Sequence, residues 1–333
     1  MPSPIPVTRL LPRDFGVSVE LGACSSPLIK YTAGSTLAVP TNTFRNKVTS
    51  RLWSSVIHWN ELHSLVPLGS GGFGSVYKGL YFDETVAVKK VKRCTKNRLA
   101  SRQSFWAELN AAHLRHKNLV RVIAASTYIP ADQENADNIG TIIMEFAGSR
   151  DLQHVIYGGV EPLVESRCMK YSIDIALGLE YLHAHSIVHL DVKPANVIVS
   201  DTDVCRLADF GCSLKLECSG ELSPLIHHLG GTYTHRAPEL LKGEEVTLKA
   251  DVYSFGISLW QLIACELPYE GDRQCILYAV VAYDLRPPVN GNMFRDSTFG
   301  QTSKALLIRC WNAKPNQRPT AEQLVTELKK MQG

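Results

Sequence analysis

The chain is 333 residues long, with 45% hydrophobic and 20% charged residues, which allows two lobes with cores of their own and excludes a disordered or fibrous protein. The 35 Lys and Arg against 32 Asp and Glu leave a formal charge of +3, far too small for a dedicated nucleic-acid binder. The 9 Cys include no C-x-x-C pair, so they suit neither a disulfide framework nor the usual zinc spacing and read as free thiols of a reducing compartment.

In chain order, residues 1–58 stand apart. They hold six Pro, two acids (Asp14, Glu20) and six bases (Arg9, Arg13, Lys30, Arg45, Lys47, Arg51), so the remainder carries 29 bases and 30 acids. Scattered Pro and little apolar periodicity predict a flexible extension that buries too little surface to offset its ordering entropy. Pro2, Pro4 and Pro6 stand where a signal peptide would be apolar, and no stretch approaches the roughly 18 apolar residues of a membrane span. A cytoplasmic protein with no membrane partner is expected.

From Trp59 the pattern predicts strands over Leu65–Leu68, Ser75–Leu80 and Thr85–Val91, split by the glycine-rich stretch 69–74 and by Asp83-Glu84. A helix is expected around Ser104–Leu114, then strands over Leu119–Ala124 and Thr141–Phe146, with the polar stretch Pro130–Asn138 as an exposed hairpin loop. Beyond it Met169, Ile173, Ala176, Leu177 and Tyr181 repeat at helical spacing, as do Leu324, Leu328 and Met331. The second part reads as mainly helical. No internal repeat or coiled-coil heptad is present, and a monomer is expected.

Three stretches carry chemistry. Gly69-Ser70-Gly71-Gly72-Phe73-Gly74 lets a backbone approach phosphate oxygens. A dinucleotide fingerprint of this spacing would open a helix, whereas Ser75–Leu80 reads as a returning strand, and a Walker A loop would end in Gly-Lys-Ser/Thr. Fifteen positions after Gly74, Lys89 in Val86-Ala87-Val88-Lys89 sits within an apolar strand and needs anions there. The carboxylate of Glu108 and nucleotide phosphates both qualify. The third stretch is His189-Leu190-Asp191-Val192-Lys193-Pro194-Ala195-Asn196, followed by Leu207-Ala208-Asp209-Phe210-Gly211. Two Asp and an Asn on turns beside short apolar strands supply a base and hard oxygen ligands for Mg²⁺.

These motifs, with Ala237-Pro238-Glu239 after them, resemble in order the signature set of the protein kinase family over residues 60–330. The resemblance implies an α+β, bilobal fold: a small antiparallel β-rich lobe to residue 147 and a larger helical lobe from 148, with ATP between them. Leu68, Val76, Ala87 and Met144 would line the nucleotide pocket, with Met144 as gatekeeper. Glu145 and Ala147 would offer backbone groups to adenine, and Asp151 would lie near the ribose. Gly69, Gly71 and Gly74 would cover the phosphates, and Lys89, paired with Glu108, would hold two of them. Asp191 would accept or orient the substrate hydroxyl proton, Lys193 would steady the γ-phosphate, and Asn196 and Asp209 would bind Mg²⁺. Lys193 and Thr232 resemble the serine/threonine pattern. Glu239 with Arg318 resembles the ion pair that anchors the activation segment, and Asp251 the residue that holds the catalytic loop.

Two departures carry expectations. Leu190 replaces the Arg that gathers a phosphorylated activation loop, so catalysis should not strictly require loop phosphorylation. Glu108 lies eight residues before His116, one fewer than the commonest spacing, so its helix should be shortened or bulged. Met1-Pro2-Ser3-Pro4, Leu11-Pro12-Arg13-Asp14-Phe15, Ser104–Asn110 and the His189-Leu190-Asp191 variant resemble one branch of the family. Its members act as MAP kinase kinase kinases in oocyte maturation and arrest. That resemblance implies MAP kinase kinase as the protein substrate and an N-terminal control region with Ser3 as its site. The rivals are a pseudokinase scaffold, which would lack one of Lys89, Asp191, Asn196 or Asp209, and a nicotinamide dehydrogenase, which would need βαβ units.

Overall fold

The structure is a computed structural model; it describes residues 57–71, 74–92, 98–128, 130, 138–159, 163–216 and 231–332, all within one compact unit, Phe44–Gly333. The extension expected before residue 57, with Ser3 and the Ser26-Pro27 pair, lies outside the described residues, as do residues 131–137 of the expected hairpin loop. Ile57 and His58, read with the extension, lie on the first sheet. Ile57 is buried beside Leu62, Tyr81 and Val86, and the His58 amide donates to Tyr81 Oη at 3.2 Å.

The first lobe is a five-stranded antiparallel sheet: β1 (Leu62–Gly71), β2 (Gly74–Tyr81), β3 (Glu84–Lys92), β4 (Val122–Ser126) and β5 (Asn138–Glu145), in spatial order β1-β2-β3-β5-β4. Strand alternation divides β3 between two cores. Val86 and Val88 pack with Tyr81 and Ile143 on one face, while Val91 packs with Phe105, Ile142 and Met144 on the other, where Ala87 joins them. Lys89 shares the face of Ala87 and Val91, which is why its stem is buried in apolar surroundings and its ammonium reaches the cleft. Gly74 is obligatory for this sheet: a Cβ there would stand 2.2 Å from the Lys90 carbonyl oxygen.

Helix α1 (Arg98–Asn110) covers that second face. Ser101, Ser104, Phe105 and Glu108 are all buried and recur at three- and four-residue spacing, one side of a helix. The helix runs for 13 residues. It ends two residues after Glu108, and the chain tightens into three-residue turns, with the Ala112 amide on the Leu109 carbonyl at 3.0 Å and Leu114 on Ala111 at 3.1 Å.

The second lobe begins with β6 (Arg150–Asp151), α2 (Leu152–Tyr157), α3 (Glu165–Ala184) and β7 (Ile187–Val188), and β6 joins β8 (Val197–Val199) and β9 (Cys205–Leu207) in a small sheet. After β10 (Leu214–Lys215) come α4 (Pro238–Lys242), α5 (Lys249–Ala264), α6 (Arg273–Ala282), α7 (Asn292–Asp296), α8 (Thr298–Cys310) and α9 (Ala321–Gln332). Every residue of α5 from Ala250 to Ile263 is buried, as expected of a helix apolar on all sides and surrounded by others. Helices α3, α5, α8 and α9 share one core, in which Tyr171, Leu179, Phe255, Leu306 and Leu324 are almost wholly enclosed.

Candidate functional site

A cleft of about 210 Å³ lies between the sheet and the turns around β8 and β9. It gathers Leu68, Val76, Ala87, Lys89, Glu108, Met144, Glu145, Ala147, Asn196 and Asp209 of the expected set, and adds Val120, Phe146, Ala195, Ile198 and Ala208. Ala195 and Ala208 stand within the quoted motifs as spacers between the polar residues, whereas nothing local marks Val120, Phe146 or Ile198 as lining residues. Asp151 is not among the lining residues; its carboxylate caps α2 by accepting the His154 amide at 2.7 Å.

Lys89 is the pivot of the cleft. Its Nζ lies 2.6 Å from Asp209 Oδ1 and 3.4 Å from Glu108 Oε2, joining β3, α1 and the turn after β9. Burial works against the ammonium, but the two carboxylates hold its pKa above the ordinary lysine value. Burial pushes the Glu108 carboxyl up to about 7 against the pull of Lys89. For Asp209 burial is outweighed by Lys89, which keeps the carboxyl below its usual range. The Asp209 backbone is left-handed (φ 62°) and starts the 3-10 turn Phe210–Cys212. Helix α1 is pressed against that turn: a Cβ at Gly211 would stand 2.3 Å from Ser104 Oγ.

Asp191 and Lys193, on the loop before β8, are not among the lining residues; Asp191 joins the cleft through Asn196, and four donors hold its carboxylate. Oδ1 accepts the Thr232 amide and hydroxyl, each at 2.8 Å; Oδ2 accepts Asn196 Nδ2 at 2.8 Å and pairs with Lys193 Nζ at 2.9 Å. Lys193 also reaches Thr232 Oγ1 at 2.5 Å. The loop itself hangs on Asp251, fully buried in α5: its Oδ2 accepts the His189 amide at 2.8 Å and meets His183 Nε2 at 2.9 Å, and its Oδ1 accepts the Leu190 amide at 2.8 Å. Such an assembly can orient a hydroxyl beside a carboxylate base and neutralise phosphate charge with preplaced cations.

The protein kinase domain family model matches residues 62–328, a span that includes the residues just described. The chain belongs to the protein kinase family. It is similar over nearly its whole length to the serine/threonine-protein kinase mos of Xenopus laevis, 52% identical with 98% of this chain and 92% of that one covered. The mouse proto-oncogene serine/threonine-protein kinase mos is 49% identical, covering 100% of this chain and 99% of its own. The Gallus gallus serine/threonine-protein kinase mos is 49% identical, with 99% and 98% covered. The chain is a serine/threonine protein kinase with the α+β bilobal fold of its family.

A buried ion pair stands behind the segment that follows Thr232. Glu239, on α4, makes a bidentate ion pair with Arg318: Nη1 donates to Oε1 at 2.6 Å and Nη2 to Oε2 at 2.7 Å, both side chains buried. Two supports escaped the sequence reading. His183 on α3 shares Asp251 with the catalytic loop. The Glu145 carboxylate, behind the hinge, accepts the Arg121 amide at 2.8 Å and pairs with Arg206 of β9 at 3.0 Å, so the hinge is tied to the strand that leads to Asp209. Leu190 itself is left-handed (φ 64°) and packs against the core of the helical lobe. Cys212, beside Asp209 and Asp191, has its thiol pushed up to about 12 by burial and then by those carboxylates.

Proposed function

We propose that this kinase transfers the γ-phosphate of ATP, with Mg²⁺, to MAP kinase kinase, as a MAP kinase kinase kinase of oocyte meiotic maturation and arrest. The observation that carries the transfer chemistry is the Asp191 carboxylate, held by Thr232, Asn196 and Lys193 beside the cleft where Lys89 bridges Glu108 and Asp209. Asp191 orients the acceptor hydroxyl and takes its proton, Lys193 steadies the transferred group, and Lys89 grips the two inner phosphates. Ala87, Val76 and Leu68 enclose the base, Met144 closes the back of the pocket, backbone groups of Glu145 and Ala147 face adenine, and Asp151 borders the ribose. Lys89, Asp191, Asn196 and Asp209, one of which a pseudokinase would lack, are all present, which disfavours a scaffold that only binds nucleotide.

The residues suit these ligands. A Cβ at Gly69 or Gly71 would meet no atom within 4 Å. Unlike Gly74, these two glycines answer no packing demand of the sheet, and the space they leave suits phosphate. Asn196 uses its amide nitrogen on the Asp191 carbonyl and carboxylate, which leaves its carbonyl oxygen as a hard donor alongside Asp209. Bound Mg²⁺ supplies charge neutralisation for the phosphates.

The MAP kinase kinase assignment rests on the resemblance to mos kinases, and the Leu190 substitution supports catalysis without obligatory loop phosphorylation. The reading carries a cytoplasmic, monomeric enzyme; among the described residues no helix is long and apolar enough to cross a membrane. The test is incorporation of labelled γ-phosphate into purified MAP kinase kinase and, in parallel, into casein, before and after phosphatase treatment of the kinase. Transfer to MAP kinase kinase that survives treatment is expected. Transfer to casein alone would reject the substrate, and complete loss after phosphatase would reject the Leu190 reading.

A further inference from the structure

Past Thr232, which holds Asp191, the chain forms the 3-10 turn Tyr233–His235, and a chain of four hydrogen bonds runs from it through the helical lobe. Its direction follows from its far end. The Glu266 backbone carbonyl can only accept, so the Tyr157 hydroxyl, 2.8 Å away, donates to it. That hydroxyl has no second proton and therefore accepts from Gln261 Nε2 at 2.7 Å. The Gln261 amide oxygen then faces His235 Nε2 at 2.7 Å, and since an amide oxygen only accepts, the imidazole proton sits on Nε2. In a neutral ring Nδ1 accepts, and Thr234 Oγ1 at 2.9 Å donates to it. Flipping Gln261 would reverse every link and leave the Glu266 carbonyl without the Tyr157 hydroxyl.

The ring is neutral because burial drives its pKa down to about 4, with Gln261 and Asp191 opposing and Lys193 assisting. His235 and Gln261 are both buried, where a broken link leaves an unsatisfied group. The backbone of the turn is fixed by the same residues: the His235 amide donates to the Thr232 carbonyl at 3.1 Å, and its carbonyl accepts Ser254 Oγ at 2.8 Å. Thr232 in turn holds Asp191 Oδ1.

We propose that the chain Thr234, His235, Gln261 and Tyr157 is a one-directional positioning relay that fixes the protein-acceptor side of the cleft in register with Asp191. The relay joins the turn Tyr233–His235 to α5, α2 and the residue after Cys265, and none of its members lines the nucleotide cleft. It therefore governs the protein acceptor and leaves ATP affinity alone. It rests on the role given to Asp191.

The test uses the full chain and two variants, Tyr157→Phe, which removes the element that sets the direction, and Gln261→Leu, which cuts the relay at its centre. Initial rates with casein as acceptor should show the KM for casein raised about 3- to 10-fold in Tyr157→Phe, the worth of one to two net hydrogen bonds. A larger rise is expected in Gln261→Leu, with the KM for ATP within about twofold of wild type in both. Ring-labelled histidine spectra of the wild type should show the Nε2-protonated tautomer at His235, a readout that needs no activity and so separates failure of the relay from failure of the Asp191 role. The Nδ1-protonated tautomer would overturn the proposal. So would a Tyr157→Phe protein, melting like wild type, whose two KM values are unchanged or rise together; this variant decides the case if Gln261→Leu does not fold.

Discussion

Replacing Asp251 with Asn tests whether the catalytic loop depends on a single buried carboxylate. Oδ2 serves two donors, the His189 amide and His183 Nε2, and Oδ1 serves the Leu190 amide. An Asn keeps one oxygen, which settles where two donors converge, and turns its NH₂ group toward the Leu190 amide. A donor then faces a donor next to Asp191. Hydrogen bonds to charged groups contribute about 1.5–3 kcal/mol each, and an unsatisfied buried group costs about 1–3 kcal/mol. Leu190 also occupies left-handed backbone space (φ 64°), a conformation that costs roughly 1–2 kcal/mol and needs its anchor. The lost bond and the stranded amide together place the loss at about 2.5–6 kcal/mol, or a melting-point drop of roughly 5–24 °C for a domain of this size. Displacing Asp191 by even 1 Å is expected to cut turnover about 100-fold. Thermal melts and initial phosphotransfer rates measure both. A variant that melts within 2 °C of wild type and turns over within about threefold would refute the reasoning.

Arg318→Leu strips the partner from buried Glu239 and should cost about 3–5 kcal/mol; a denaturant titration showing under 1 kcal/mol would contradict this. His235, held down to about 4 by burial, contributes stability that is fully present above the unfolded-state value near 6.5 and is lost as pH falls toward 4. About 2 kcal/mol should therefore disappear between pH 7.5 and 5. His235→Gln should remove that part of the slope, and an unchanged pH dependence in the variant would count against it. Cys212, with its thiol pushed up to about 12, should be alkylated by iodoacetamide at pH 7.5 far more slowly than exposed Cys275, as read by peptide mass spectrometry. Labelling of Cys212 first would reverse that assignment.

What could be read from the chain was set by local pattern. The alternation Val86, Ala87, Val88, Lys89 places the lysine on the cleft face of β3, and the order of glycine loop, Lys89, Asp191, Asn196 and Asp209 is legible in the chain itself. Features made by distant partners left no such trace. His183 meets Asp251 across 68 positions, Gln261 meets Tyr157 across 104, and the Glu145 carboxylate turns away from the nucleotide to Arg206. Each depends on which side of a helix or hinge a polar side chain occupies, and polar residues at these sites are individually unremarkable. Asp151 shows the converse: the helix beginning at Leu152 takes one of its carboxylate oxygens for a cap.

In the proposed reaction Asp191 receives the acceptor proton while Lys89 and its carboxylate partners hold nucleotide. The direct measurement compares ATP affinity and phosphotransfer in wild type, Asp191→Asn and Lys89→Arg. Asp191→Asn should bind ATP within a few-fold of wild type yet transfer phosphate at least about 100-fold more slowly, and Lys89→Arg should be deficient in transfer as well. Equal incorporation by all three proteins would contradict the account.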